Sequence, residues 1–167
     1  MNKPVQTITK QDKLFFAEIA AIIKESRGTA YKAVYTIMVQ TNWNIGKRII
    51  EHEQKGKIRA EYGDYLIVNL SRYLTGILGK GFSEANLKNF RQFYLKFPGG
   101  IQFASRRLAN LENLSWSHWC VLMRLDDKAE RDYYIQETNE QNWKVKTLER
   151  NIRSGYYRRL LSTQKNP

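Results

Sequence analysis

Four clusters in this 167-residue chain have residue types that catalysis uses. Glu53-x-Lys55 carries the carboxylate and lysine that end a nuclease metal site, but no Pro-Asp on a preceding strand supplies the second carboxylate needed to position the metal. Gly76-x-x-Gly79-Lys80-Gly81 imitates a phosphate-binding loop, yet it lacks both the four-residue interval and the Ser or Thr after the lysine. A helix stop accounts for it better. His118 and Cys120 are two apart on one expected helix, so their side chains diverge by about 200° and make no nucleophile-base pair. Tyr156-Tyr157-Arg158-Arg159 sets a tyrosine beside arginines, as strand-transfer chemistry requires, but no catalytic histidine accompanies it. With one cysteine and two histidines (His52, His118), neither a disulfide framework nor a metal centre is expected. The reading is therefore of a chain with no catalytic residues, no metal and no cofactor.

A different constellation carries more information. Ser83 is a good N-cap, and Phe82 before it sits where a hydrophobic staple residue belongs, with Leu87 as its partner. Gly79-Lys80-Gly81 ends the helix upstream, so residues 64–97 have helix-turn-helix proportions. On a wheel of the second helix, Leu87, Phe90, Phe93, Tyr94 and Phe97 form one arc, expected to be buried. The opposite arc holds Ala85, Lys88, Asn89, Gln92 and Lys96, with Arg91 and Glu84 at its edges. Lysine donates to guanine, Asn and Gln bond adenine bidentately, and a small alanine approaches a thymine methyl, so this arc suits the edges of bases in a major groove. Lys80, Ser83, Arg91, Arg106, Arg107, Arg158 and Arg159 are better placed for phosphates.

The elements that position this arc read as helices almost throughout. The first is expected over Gln11 to Lys24, with Leu14, Ala17 and Ala21 on a stripe and Gly28 closing it. A longer helix follows from about Thr29 to Gln54, and Gly46 in its middle signals close packing against another helix. Gly56 to Gly63 reads as a polar connection, and Asp64 to Leu78 repeats leucines at helical spacing. Pro98-Gly99-Gly100 is a stop, and residues 101–113 fit a β-hairpin wing or a further helix equally well. Ser115 caps a helix with Trp116 and Trp119, Asp126 starts another to about Asn142, and Val145 to Tyr157 makes the last. The domain plan is an N-terminal helical segment (1–28), a main domain (29–160) and a frayed tail (161–167). The fold class is mainly α, with a helix-turn-helix and with or without a wing.

Composition agrees with a folded, polyanion-binding chain. Lys and Arg total 28 against 16 Asp and Glu, a net charge of +12, and 42% of residues are apolar. The charge is uneven: residues 79–110 carry +5, 111–143 carry −4 and 144–167 carry +6. Two basic segments around an acidic one favour localised patches over diffuse cationic solubility. The apolar run Leu14 to Ile23 is interrupted by Glu18 and lacks a cleavage site, so a soluble, cytoplasmic chain with no membrane partner is expected.

Ordered blocks along the chain add a resemblance. Trp43-Asn44-Ile45-Gly46-Lys47-Arg48-Ile49-Ile50-Glu51, Tyr62-Gly63, Leu70-Ser71 with Leu74-Thr75, Gly79-Lys80-Gly81-Phe82-Ser83, Asn86-Leu87, Arg91-Gln92-Phe93-Tyr94 with Phe97-Pro98, Leu114-Ser115-Trp116-Ser117-His118, and Asn142-Trp143 with Leu148-Glu149-Arg150 together resemble the N-terminal domain of the YhcG-like family of bacterial proteins. Leu78 and Phe90 stand where the resemblance leads one to expect Phe and Met, both conservative core changes. The resemblance implies a helix-turn-helix or winged-helix DNA-binding module that precedes a C-terminal nuclease domain of the PD-(D/E)XK superfamily. That second half is outside these 167 residues, so the nuclease activity is not carried over. The expected partner is duplex DNA. The rival reading is a helical adaptor whose Tyr and Trp surface and acidic middle (Asp126 to Glu140) dock a nuclease domain, another protein or a second copy.

Overall fold

The computed structural model describes residues 8–55, 60–99, 111 and 113–164. Seven helices are seen among them: α1 (Lys10–Lys55), α2 (Ala60–Leu78), α3 (Glu84–Lys96), α4 (Trp116–Leu122), α5 (Lys128–Glu140), α6 (Val145–Arg153) and α7 (Tyr156–Gln164). The fold is mainly α, with no strand among the described residues. Most of residues 101–113, where a wing or a helix was expected, lie outside the described residues. No described helix is long and apolar enough to cross a membrane. The chain divides into two compact units, residues 1–34 and 35–167.

The first unit contains the start of α1. Thr9 and Asp12 cap it reciprocally: the Asp12 N–H donates to Thr9 Oγ1 at 3.1 Å, and the Thr9 N–H donates to the Asp12 carboxylate at 2.9 Å. The Thr9 hydroxyl also donates to that carboxylate at 2.7 Å, and this bond, followed by the one from the Thr9 N–H, holds the Asp12 carboxyl below its ordinary range. The expected stop at Gly28 is not there, because α1 continues through it. A helical glycine costs only about 1 kcal/mol, and no proline or left-handed residue follows to enforce an end.

The second unit is organised around the close approach of α1 and α3. A Cβ on Gly46 would stand 1.9 Å from the Phe90 carbonyl oxygen and 2.6 Å from its carbon. The interhelical packing expected of Gly46 is thus a backbone-to-backbone contact. Beside it Ile49, Ile67, Leu87 and Phe90 form one buried cluster. A second, larger cluster gathers Val39, Phe93, Trp119, Leu122, Tyr134, Leu148 and their neighbours. Trp116 bridges the two, with its ring 5.1 Å from Phe90 and 5.4 Å from Phe93. The Trp43 indole N–H donates to the Phe97 carbonyl at 2.7 Å, fastening α1 to the end of α3.

The C-terminal helices differ from expectation at one point. Val145 to Tyr157 is not a single helix: α6 ends at Arg153, Gly155 takes φ 63°, and α7 begins at Tyr156. Gly155 is in the left-handed region that ends helices cheaply. The Tyr134 hydroxyl holds this corner, donating to the Asn151 carbonyl at 3.1 Å and accepting from the Tyr157 N–H at 3.2 Å. The tail expected to fray from 161 is helical to Gln164.

The glycines of this unit differ in what they tolerate. Gly46→Ala must push two backbones apart, so a loss of about 3 kcal/mol is expected from urea unfolding. Gly76→Ala in α2 meets nothing within 4 Å and should be neutral or stabilising by up to about 1 kcal/mol. Equal effects of the two would contradict the helix crossing described here.

Candidate nucleic-acid interface

Chain geometry first positions the turn before α3. Gly79 and Gly81 have φ of 81° and 115°, a conformation that a side chain strains. Lys80 is held exposed between them. Ser83 caps α3 by accepting from the Asn86 N–H at 3.3 Å, and the Asn86 amide donates back to the Gly81 carbonyl at 2.9 Å. Phe82 packs on the cluster containing Leu87, as the staple pattern anticipates. The turn and the first turn of α3 are therefore one hydrogen-bonded unit, with Lys80 and Ser83 at the helix end where anions are favoured.

The wheel of α3 is correct on its buried side and too generous on its open side. Leu87, Phe90 and Phe93 are buried, and Tyr94 and Phe97 half-buried. Of the five residues expected to face bases, Ala85, Lys88 and Gln92 form one exposed stripe at i, i+3 and i+7. Asn89 is half-buried and turned to α4, where its amide donates to Cys120 Sγ at 3.9 Å. Lys96 is also half-buried, and its ammonium bonds the Asp126 carboxylate at 2.7 Å. The helix is covered by α1 at Phe90, by α2 through the cluster that joins Ile67 to Leu87, and by α4 through Trp116, so its free face is narrower than a single-partner wheel implies. Leu95 completes the exposed face at 56% exposure.

Residues expected on phosphates are distributed unevenly. Arg91 is engaged by Glu53, Nε to Oε2 at 2.9 Å, across α3 and α1. Arg106 and Arg107 lie outside the described residues. Arg158 is open to solvent with Glu130 4.0 Å away. The Arg159 guanidinium donates to the Ser154 carbonyl and lies over the Tyr156 ring at 5.9 Å. Lys144, Lys146, Arg150 and Arg153, at the start of α6 and along it, are all exposed. The acidic middle segment thus folds back on both basic segments, through Asp126 to Lys96 and Glu130 to Arg158. The Lys96 ammonium holds the Asp126 carboxyl below its usual range, but this carboxylate is open to water and adds little stability.

The rejected clusters have structural work. His118 Nδ1 accepts from the Ser115 N–H at 3.0 Å, and its Nε2 meets the Trp143 carbonyl at 3.0 Å. The ring is therefore the Nε2–H tautomer, capping α4 and joining it to the loop before α6. Burial pushes its pKa below the ordinary 6.5 and raises that of the Cys120 thiol. Tyr133, packed among Tyr134, Tyr156 and Tyr157, is pushed up to about 12, first by burial. Arg131 is a buried residue that sequence reasoning missed: it donates to the Leu125 carbonyl at 2.7 Å and lies over Phe97 at 5.4 Å. No periodicity distinguishes it from the solvated charges around it. Among the described residues no three His, Cys, Asp or Glu side chains are grouped to hold a metal. An open groove of about 550 Å³ between α1 and α2 is lined mainly by Ile45, Ile49, Leu66, Leu70 and Leu74, with Arg48 and His52 at its edge.

The His118 geometry sets a pH dependence. A proton on Nδ1 would face the Ser115 N–H, which cannot reverse, so the fold resists a proton that the unfolded chain accepts at about 6.5. Stability should be complete above that value and fall as pH drops below it, toward the lower pKa of the folded state. Urea midpoints between pH 8 and pH 5 measure this, and His118→Gln should flatten the segment below pH 6.5. A wild-type profile flat through that range contradicts the tautomer.

Comparison with known proteins gives two matches. The family described as DUF1016 N-terminal domain matches residues 18–159. A curated Escherichia coli (strain K12) protein named "Putative nuclease YhcG" is 33% identical over 168 residues, covering 86% of this chain and 45% of that protein. The chain therefore spans less than half the length of this relative. No solved structure matches it.

Proposed function

The chain belongs to the DUF1016 N-terminal domain family, and on that premise we propose that it is a duplex DNA-binding module, the targeting part of a nuclease-related protein. The observation that carries this reading is the stripe Ala85, Lys88 and Gln92 on α3, exposed behind a capped glycine turn that presents Lys80. In this reading α2 and α3 act as a helix-turn-helix, and α3 enters the major groove. Lys88 and Gln92 supply guanine and adenine contacts, and Ala85 leaves room for a thymine methyl. Lys80 and Ser83 hold the phosphate at the helix start. Arg158, Arg159 and the exposed bases at α6 add sequence-independent phosphate contacts. Asn89 and Lys96 serve the fold by tying α3 to α4 and to Asp126, and Arg91 serves it through Glu53. Cutting chemistry is assigned to the part of such proteins that this chain does not span.

Leu95 favours a second reading. A large apolar side chain 56% exposed on the same stripe is not required by bases or phosphates, and it fits docking on another protein.

Titration of the purified chain against a labelled duplex of random sequence, at low and moderate salt without divalent metal, separates the two. DNA binding must weaken steeply with salt, because neutralised phosphates release counterions. Lys88→Ala or Gln92→Ala should change preference at one base step by about 1–3 kcal/mol. Arg150→Ala with Arg153→Ala should weaken all sequences alike and flatten the salt slope. No binding at low salt, or binding unaffected by all these variants, sinks the DNA reading in favour of protein docking through Leu95.

A further inference from the structure

The N-terminal unit leaves an apolar helix face uncovered. Placed at 100° steps, Ile22, Phe15, Ile19, Ile23, Phe16 and Val34 fall in one arc about 120° wide, together with Ser26, Ala30 and Ala33, and Asp12 of the capping turn stands at the N-terminal end of the same arc. All are exposed in the folded chain, Phe15 at 57%, Ile22 at 60% and Ile23 at 47%. The opposite arc carries Lys10, Lys13, Lys24 and Lys32 with Glu18 and Glu25, and its apolar residues are Leu14, Tyr31 and the small Ala17 and Ala21 of the stripe expected from sequence. This is the pattern of a helix whose stripe is made to be buried against something.

We infer that this face, Phe15 to Val34, pairs with the same face of a second copy of the chain, antiparallel. The area agrees: side chains of this size, about half exposed, offer roughly 700 Å² per helix, within the range of a standard interface, which takes about 800 Å² from each partner. The order of residues agrees as well. An antiparallel pair centred between Ile22 and Ile23 sets Phe15 on Ala30 of the second copy, Ile19 on Ser26, and Ile22 on Ile23. Phe15 and Ile19 then meet small residues on either side of a central pair of isoleucines, and Ala33 leaves room for Asp12 at each end, which lets the helices approach closely. A parallel pair sets Phe15 and Phe16 against themselves and leaves Ser26, Ala30 and Ala33 facing each other across a gap. The mixed-sign polar arc also differs from the basic face that an anionic lipid surface selects. A closed two-fold pair uses the face completely and leaves none for further growth. The inference is independent of the DNA-binding reading, which rests on α3.

Sedimentation of the full chain over a wide concentration range tests it. The expected mass is twice 19.7 kDa, and Ile19→Glu with Ile22→Glu should return it to the single-chain value with helical circular dichroism unchanged, since both side chains are already exposed. Direction is tested by oxidation on a Cys120→Ala background. Phe15→Cys chains mixed with Ala30→Cys chains should form a disulfide dimer, and neither alone should. A wild-type chain that stays single at every concentration overturns the inference, as does a dimer that survives the two glutamates. Cross-linking of Phe15→Cys with itself overturns the antiparallel pairing. A single-chain protein that binds anionic vesicles through this face assigns the stripe to a membrane surface instead.

Discussion

The contact between Gly46 of α1 and the Phe90 carbonyl of α3 is the constraint on which the rest of the main unit depends. At that distance two helices touch through their backbones, and no residue with a Cβ fits. The approach fixes the rotation of α3, because Phe90 must face α1 while Leu87 and Phe93 fill the space on either side. Phe93 then reaches Trp116 and Trp119, which orient α4. A glycine that costs about 1 kcal/mol in an isolated helix is thus retained where a large aromatic cluster can form only if the helices come this close.

The exposed surface follows from this rotation. With α1, α2 and α4 packed on α3, the open face is reduced to Glu84, Ala85, Lys88, Arg91, Gln92 and Leu95. The polar residues just outside it are used for attachment: Asn89 to Cys120, Lys96 to Asp126. Charge is redistributed in the same way. The acidic middle segment meets the two basic ones through local ion pairs, and the cations exposed to solvent include Lys80, Lys88 and those along α6 and α7.

The corner at Tyr134 shows how one buried hydroxyl sets C-terminal geometry. It accepts from α7 and donates to the end of α6, so the Gly155 break is held by a partner on α5. His118 does a similar task between α4 and the Trp143 loop. Both groups are polar, buried and satisfied, which makes them determinants of a single arrangement of the four C-terminal helices.

Much of this was legible in the residues themselves. The helix starts at Ser83 and Ser115, the glycine turn, the apolar arc of α3 and the close-packing role of Gly46 are local properties, set by capping chemistry, left-handed backbone and a 3.6-residue period. The family was legible too, from ordered motifs. Other features were not. Gly28 did not end α1, because a stop needs a partner for the freed carbonyls and a glycine alone supplies none. Gly155 did end α6, because Tyr134 supplied part of that partner from a distant element. Arg131 went inside, and Asn89 and Lys96 turned away from the open face. Those outcomes depend on which helices cover which sides, and side-chain burial of that kind is a property of neighbours distant in sequence. A period along one helix determines which residues share a face, and only the packing of the others decides how wide that face remains.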